Sequence, residues 1–321
     1  MARSDRYNPR RSTASQSRYS FYEFDRDFPD DDACFEWLTR HLYPEGITCP
    51  KCARVTSHYR VKGRTALACQ NCGHHEYPLA GTIFQGSSTS LRLWFHGFYL
   101  MSQTRCGISA KQLERELGVT YKCAWRMFNK IRSVLAEGEF PLSGPIEMDE
   151  TYVGGKPRGR EVRAMRRSGL GPMQAGQAAA RAKKTTVFGM VERGGKVVAR
   201  VVPTEWQASA FEQVESRILP ASIIYTDEAA AYTPLGAKGY YHRRINHSAK
   251  VYVDGDIHTN TIEGFWSTLK GGLRGVYHSV SAKHLQSYLD EYSFRYNHRY
   301  DESGMFDAFM SRIAKAPGGA A

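Results

Sequence analysis

The sequence predicts an α/β fold, a mixed sheet with helices, preceded by a small cysteine ribbon and a helical pair. Three observations carry this. Short apolar runs at 144–155, 185–192, 196–202 and 222–227 read as strands bounded by turn residues. At about 205–219, 258–279 and 281–297, apolar residues recur at helical spacing. Ahead of them, four cysteines form two CxxC pairs, Cys49–Cys52 and Cys69–Cys72.

At 321 residues the chain is long enough for two or three domains with cores of their own. Lys and Arg number 44 against 32 Asp and Glu, giving +12 and a pI near 9.4. That balance favours a polyanionic partner, most often nucleic acid, although many basic soluble proteins have none. No run of 18 apolar residues exists, so no membrane span is expected. Residues 1–20 are polar, rich in Arg and Ser, and lack the apolar core of a secretory signal. They read as a disordered basic tail, and the expected location is cytoplasmic and nucleoid-associated.

Residues 21–84 form the first module. A short helix starts near Asp30–Asp32, acids that suit a helix N-terminus, and the cysteine segment follows. In 85–138 a helix at 89–102 leads to GISAKQLERELGVTYKCAWRMFNKIRSVL. There Leu113 and Leu117 share a face, Gly118 supplies a turn and Thr120 caps the next helix. Ala124, Met127, Phe128, Ile131 and Leu135 then keep helical spacing. This is a helix-turn-helix pattern, which any αα-hairpin would share.

Residues 141–312 form the last module, ahead of a tail at 313–321. Its order, three strands, a helix, a strand ending at Asp227 and a helix, is that of a ribonuclease-H-like core. YYHRRINHS at 240–248 offers a further strand. Residues 156–184 interrupt the core with nine Lys/Arg and one acid. They read as a basic loop insertion, either a solvated loop or a strap over a nucleic-acid backbone.

Two CxxC knuckles sixteen residues apart can converge on one tetrahedral ion. Four thiolates fill that sphere, so the ion expected on Cys49, Cys52, Cys69 and Cys72 is a structural Zn²⁺ that holds a fold and does not catalyse. The intervening residues read as a β-hairpin. Cys34, Cys106 and Cys123 are spare, small residues for a core.

The acids that stand out are Asp149, at a strand within IEMDETYV, and Asp227, at the end of SIIYTD. Glu147 and Asp149 share a strand face and Glu150 points the other way. Asp227 also suits simple helix capping. Glu263 and Lys270 lie seven positions apart, close to two helical turns and so on one face. Asn260 is one turn before Glu263. Trp266 reads as core. Cutting a phosphodiester without a covalent intermediate needs an activated hydroxyl and a neutralised leaving oxygen. Two Mg²⁺ ions held by carboxylates supply both. Lys270 could steady a phosphate or be an ordinary surface lysine.

At these residues the chain resembles a DDE transposase of bacterial insertion sequences, of the subgroup with an N-terminal zinc ribbon. FPDDDACFEWL, CPKC, CQNCGH, MDETYVGGK, YTDEAAAY and HTNTIEGFWSTLKGGLRGVYHSVSAKHLQSYLDEYSFRYNHR carry the resemblance, over about 21–312. It implies Asp149, Asp227 and Glu263 as the triad for two Mg²⁺ (or Mn²⁺) ions. Lys270 is the basic residue on the glutamate's helix, and Asn260 is a fallback ligand. It further implies binding of terminal inverted repeats and target DNA, strand cleavage, attack by the freed 3′-OH, and a homodimer or larger synaptic complex. LKGG at 269–272 departs from the pattern, since relatives often follow the lysine with a second basic residue. Two other readings share these features: a DNA-binding regulator derived from such an enzyme, and a metal-dependent nuclease without strand transfer.

Overall fold

Ser20 and Glu23 form a reciprocal capping box, the Ser20 hydroxyl accepting from the Glu23 N–H and the Glu23 carboxylate accepting from the Ser20 N–H. This starts α1, Phe21–Asp27. Pro29 interrupts the chain and Asp30 caps α2, Asp31–Leu42, by accepting from the Ala33 N–H. The single helix expected near the Asp30 cluster is therefore preceded by a second, shorter one. The computed structural model describes residues 19–154, 157, 159–203, 206–227, 230–245 and 258–314. It divides into two units: residues up to Arg105 with Ala110–Val134 and those from His298 on, and Cys106–Ser109 with Leu135–Asn297.

In the first unit a three-stranded antiparallel ribbon, β1 (His58–Arg60), β2 (Leu67–Cys69) and β3 (His75–Glu76), follows α2. Then come α3 (Leu91–Gln103), α4 (Ala110–Leu117), α5 (Tyr121–Val134) and, after the second unit, α11 (Met305–Met310). Phe24, Phe28, Phe95 and Phe306 pack edge to face at its centre. Gly118 turns between α4 and α5 at φ +64°, and the Thr120 hydroxyl accepts from the Cys123 N–H. The buried faces are Leu113 and Leu117 on α4, and Ala124, Met127, Phe128 and Ile131 on α5.

The second unit is built on five strands: β4 (Pro145–Val153), β5 (Thr185–Glu192), β6 (Val197–Val202), β7 (Ile223–Thr226) and β8 (Tyr241–Arg244). Their spatial order is β6-β5-β4-β7-β8. β5 is antiparallel to β4 and β6, and β7 is parallel to both β4 and β8. This is the ribonuclease-H-like core expected from the order of elements. One face packs Ile146, Met148, Phe188 and Met190 against Ala210 and Val214 of α8 (Trp206–Arg217). The other is covered by α9 (Asn260–Gly275) and α10 (Ala282–Asn297). β6 is an edge strand, and α10 satisfies its backbone. Gln286 accepts from the Val201 N–H and donates to the Ala199 carbonyl; Asn297 does the same at Val197.

One expectation is corrected here. The 156–184 insertion is not a loop: it folds as α6 (Gly159–Arg167) and α7 (Pro172–Ala182), packed on each other. Alanines at 175, 178, 179, 180 and 182 supply helix propensity, and Ala175 and Ala179 bury one face at a four-residue interval. Beyond Asp227, a residue that also suits helix capping, the chain forms a 3₁₀ helix, Ala230–Lys238; Pro234 lies inside it and cannot donate a helical hydrogen bond. Residues 246–248 of the strand expected at 240–248, and Glu228, lie outside the described residues. Among the described residues no helix is long and apolar enough to cross a membrane.

Candidate active site

The ribbon's two cysteine knuckles have the same backbone geometry. The Ala53 N–H donates to the Cys49 carbonyl and Cys49 N–H to Arg54; the Gly73 N–H donates to Cys69 and Cys69 N–H to His74. In each, the residue after the second cysteine is left-handed, Ala53 at φ +53° and Gly73 at φ +69°. The four sulfurs lie within 4.8 Å of one another, with Cys49–Cys72 at 3.5 Å and Cys52–Cys69 at 3.9 Å. A tetrahedron with Zn–S bonds of about 2.3 Å has edges of about 3.8 Å, so this donor set fits zinc. The Thr56 hydroxyl 3.3 Å away, with nearby backbone N–H groups, lowers the Cys69 thiol to about 6.

The acids gather where β4 and β7 run side by side. The parallel register pairs Glu147 with Tyr225, so two residues further on Asp149 lies level with Asp227, just past the end of β7. Glu150 faces the other side of β4, where the Tyr232 hydroxyl donates to Oε2 at 2.6 Å. Burial, then Glu150 and Asp227, push the half-buried Asp149 carboxyl up to about 7, against the opposing effect of a Trp266 hydrogen bond. Burial also raises Glu150, with Asp227 adding to it and the Tyr232 bond opposing. Carboxylates crowded in this way are stabilised by a cation, and their hard oxygens suit Mg²⁺ or Mn²⁺.

Glu147 belongs to the same strand face and does different work. Its side chain is fully buried, 0% exposed, and reaches the start of α9. Oε2 accepts from the N–H groups of Thr261 and Ile262 at 2.8 and 3.0 Å. Oε1 accepts from the Thr261 hydroxyl at 2.9 Å and Arg193 Nε at 2.7 Å, with His258 Nδ1 at 3.2 Å. Arg193 also donates to the His258 carbonyl and lies 4.1 Å over the Tyr225 ring. Thr259, the N-cap residue, makes no side-chain cap bond, so a glutamate from a strand caps the helix in its place.

One turn further along α9, Trp266 Nε1 donates to Asp149 Oδ2 at 3.0 Å. Its ring occupies the space over Gly189, the β5 residue paired with Asp149. A Cβ at Gly189 would lie 2.4 Å from Trp266 Cζ2, so only glycine admits this ring. Glu263 is exposed, and its Oε1 accepts from the Thr259 hydroxyl at 2.9 Å. Lys270 is half-buried two turns later, and Asn260 is the exposed first residue of the helix. The structure thus brings Asp149 and Asp227 together. It sets Glu263, Lys270 and Asn260 on a helix tied to Asp149's strand. Among the described residues, the four cysteines alone bring three or more candidate metal-binding atoms within 4.8 Å of one another; Glu263 does not close on the aspartates to that degree.

Sequence reasoning missed Glu147 as a helix cap, along with Arg193, Tyr232 and Gly189, and read Trp266 only as core. Gly272, in the departing LKGG segment, has a structural role: the Tyr292 hydroxyl packs against its Cα and donates to the Cys106 carbonyl at 2.7 Å. Gly271 is exposed, with open space around it.

Comparison with known proteins adds to this geometry. Residues 141–297 match the ISXO2-like transposase domain, and residues 29–75 the transposase zinc-ribbon domain. An uncharacterized protein in transposable element ISH50 of Halobacterium salinarum is 31% identical over 269 residues, covering 80% of this chain and 88% of that protein. An uncharacterized transposase-like protein of Haemophilus influenzae is 31% identical over 102 residues, 32% of this chain and 81% of its own. A chain from the cryo-EM structure of a simian T-cell lymphotropic virus intasome in complex with PP2A regulatory subunit B56 gamma aligns over 62% of this chain and 65% of that one. Its TM-score of 0.26 and identity of 12% carry no weight.

Proposed function

The chain belongs to the ISXO2-like transposases with an N-terminal zinc ribbon, and from that premise we propose that it binds the terminal inverted repeats of its insertion sequence, cleaves there and joins the freed end to target DNA. The observation that carries this reading is the proximity of Asp149, on β4, to Asp227, just past the end of the parallel strand β7, beside the capped helix that bears Glu263. Asp149, Asp227 and Glu263 would hold the divalent ions, with Asn260 as a fallback ligand. Two Mg²⁺ ions bound there would activate the attacking hydroxyl and neutralise the leaving oxygen.

The protein's own residues do the rest. Trp266 holds one Asp149 oxygen in a fixed orientation, leaving the other for a cation. Glu147 fixes the α9 N-terminus and hence the Glu263 position along the strand. Lys270, on Glu263's side of α9 by helical period, offers a cation to a DNA phosphate. Joining needs no external energy, because one phosphodiester replaces another. Two ends must be held together, so a homodimer or larger synaptic complex follows. The four ribbon cysteines hold one structural Zn²⁺.

The test is a cleavage and strand-transfer assay with Mg²⁺ on DNA carrying the element's ends, comparing wild type with Glu263→Gln. Cleavage and joining lost in the variant, with DNA binding retained, is the expected result. Cleavage without joining would identify a nuclease. Binding without metal-dependent chemistry in either protein would identify a regulator.

A further inference from the structure

The inserted helical hairpin carries charge that the fold does not use. In α6, Arg160, Arg163, Arg166 and Arg167 are all exposed, and among the described residues none of them forms an ion pair. The lone acid of the segment, Glu161, is paired with Lys183 at 2.8 Å, at the base of the hairpin. Gly154 lies against the Lys183 backbone, where a Cβ would come within 2.7 Å of the carbonyl oxygen, so the two ends of the insertion are drawn together. Val162 and Met165 are half-buried on the opposite side of α6, and Ala175 and Ala179 of α7 are buried. The helix is therefore amphipathic, with one side packed and the other cationic.

At about 100° per residue, Arg160, Arg163 and Arg167 fall within roughly 60° of one another around the helix. Arg166 and Arg167 occupy the last turn, where the helix dipole favours cations. Arg160 lies in the first turn, where the dipole disfavours a cation. Mutual repulsion among four guanidiniums adds to that local cost, and among the described residues no ion-pair partner offsets it. An external polyanion does.

The topology says where that polyanion lies. β4 and β7 are parallel, and β7 ends at Thr226, beside the acidic pair. β4 continues for four residues beyond Asp149, paired there with β5, before the insertion begins. The insertion thus leaves the sheet about 13 Å further along β4 than Asp149, at the same end of the sheet as Asp227. Exposed Tyr152 lies on this extension.

We infer that the arginine face of α6 binds the backbone phosphates of duplex DNA flanking the bond at the acidic pair. This rests on the DNA-cleaving reading above and adds a second, sequence-independent contact to it. From Arg160 to Arg167 the helix rises about 10 Å. Phosphates of one strand advance about 3.4 Å along the duplex axis, so the row meets roughly three of them.

The experiment measures binding of the full-length protein to a 40-base-pair duplex of arbitrary sequence, by fluorescence anisotropy across a KCl series, without divalent metal. Wild type is compared with Arg160→Gln/Arg163→Gln/Arg166→Gln/Arg167→Gln and with the corresponding four-lysine variant. The glutamine variant is expected to bind at least about tenfold more weakly at moderate salt. Its slope of log affinity against log salt should be shallower by about 3, at roughly 0.9 per phosphate released. The lysine variant should keep most of the wild-type slope. Circular dichroism and Tm close to wild type establish that all three are folded. An unchanged slope and affinity in the glutamine variant overturns the inference and leaves the cleavage reading standing. A wild type with no salt-dependent affinity for duplex DNA overturns both.

Discussion

Trp266 donates its indole N–H to Asp149 Oδ2 at 3.0 Å, across a gap that exists because residue 189 is glycine. A tryptophan that reads as core filling also orients a carboxylate. Trp266→Phe keeps an aromatic ring over Gly189 and removes the hydrogen bond. The expected result is a roughly 10- to 100-fold loss of Mn²⁺ affinity, the usual scale for losing a partner that orients a metal ligand. Calorimetric titration of the metal, with a denaturation curve in parallel, checks it. Unchanged Mn²⁺ affinity in a folded variant would show that the bond orients nothing.

Glu147→Ala removes five polar contacts at once, among them the carboxylate of a fully buried side chain that pairs with the half-buried Arg193. Breaking a buried pair from one side costs about 3–5 kcal/mol. A loss of that size in urea unfolding is expected, together with faster hydrogen exchange at Thr261 and Ile262. Native-like protection of those two amides would refute the role of Glu147 as a helix cap.

His242 makes stability depend on pH. Burial first, then Arg244, push its imidazole down to about 4, and Nε2 lies 2.8 Å from the Thr226 hydroxyl. The folded protein therefore holds it neutral, whereas the unfolded chain takes up a proton near the ordinary value of about 6.5. Its stabilising contribution is complete above about 6.5 and is lost as pH falls toward 4. The Tm of wild type should drop relative to His242→Gln between pH 7 and 4.5. A difference that stays constant over that range would count against this account.

Cys69→Ser takes one sulfur from the ribbon cluster. The purified variant should contain little or no zinc by elemental analysis, with the ribbon unfolded, while the five-stranded sheet keeps its protection in hydrogen exchange. Zinc content equal to wild type would sink the structural-zinc assignment.

How much could be read from the sequence depended on how local each signal was. The cysteine ribbon is written in spacing alone, and α9 in the period of Ile262, Phe265, Trp266 and Leu269, all buried. Asp227 was visible because it closes an apolar run. The insertion was misjudged because nine Lys/Arg hide the short period of α6, although the alanines of α7 already favoured a helix. Glu147 was out of reach for a different reason. Its partners on the helix end lie 114 and 115 residues away, and nothing near it in the chain announces a helix end waiting for a carboxylate.

Glu147 and Asp149 also bear on how such chains evolve. Spaced one residue apart on an interior strand, they look interchangeable, yet one is sealed from water against a helix end and the other opens toward solvent and a neighbouring acid. On the cleavage function proposed above, drift at either position meets separate selection, the first through folding and the second through chemistry. A copy that had lost its chemistry would still be expected to keep the first acid, so a degenerate relative retaining Glu147 without Asp149 would be a folded relic.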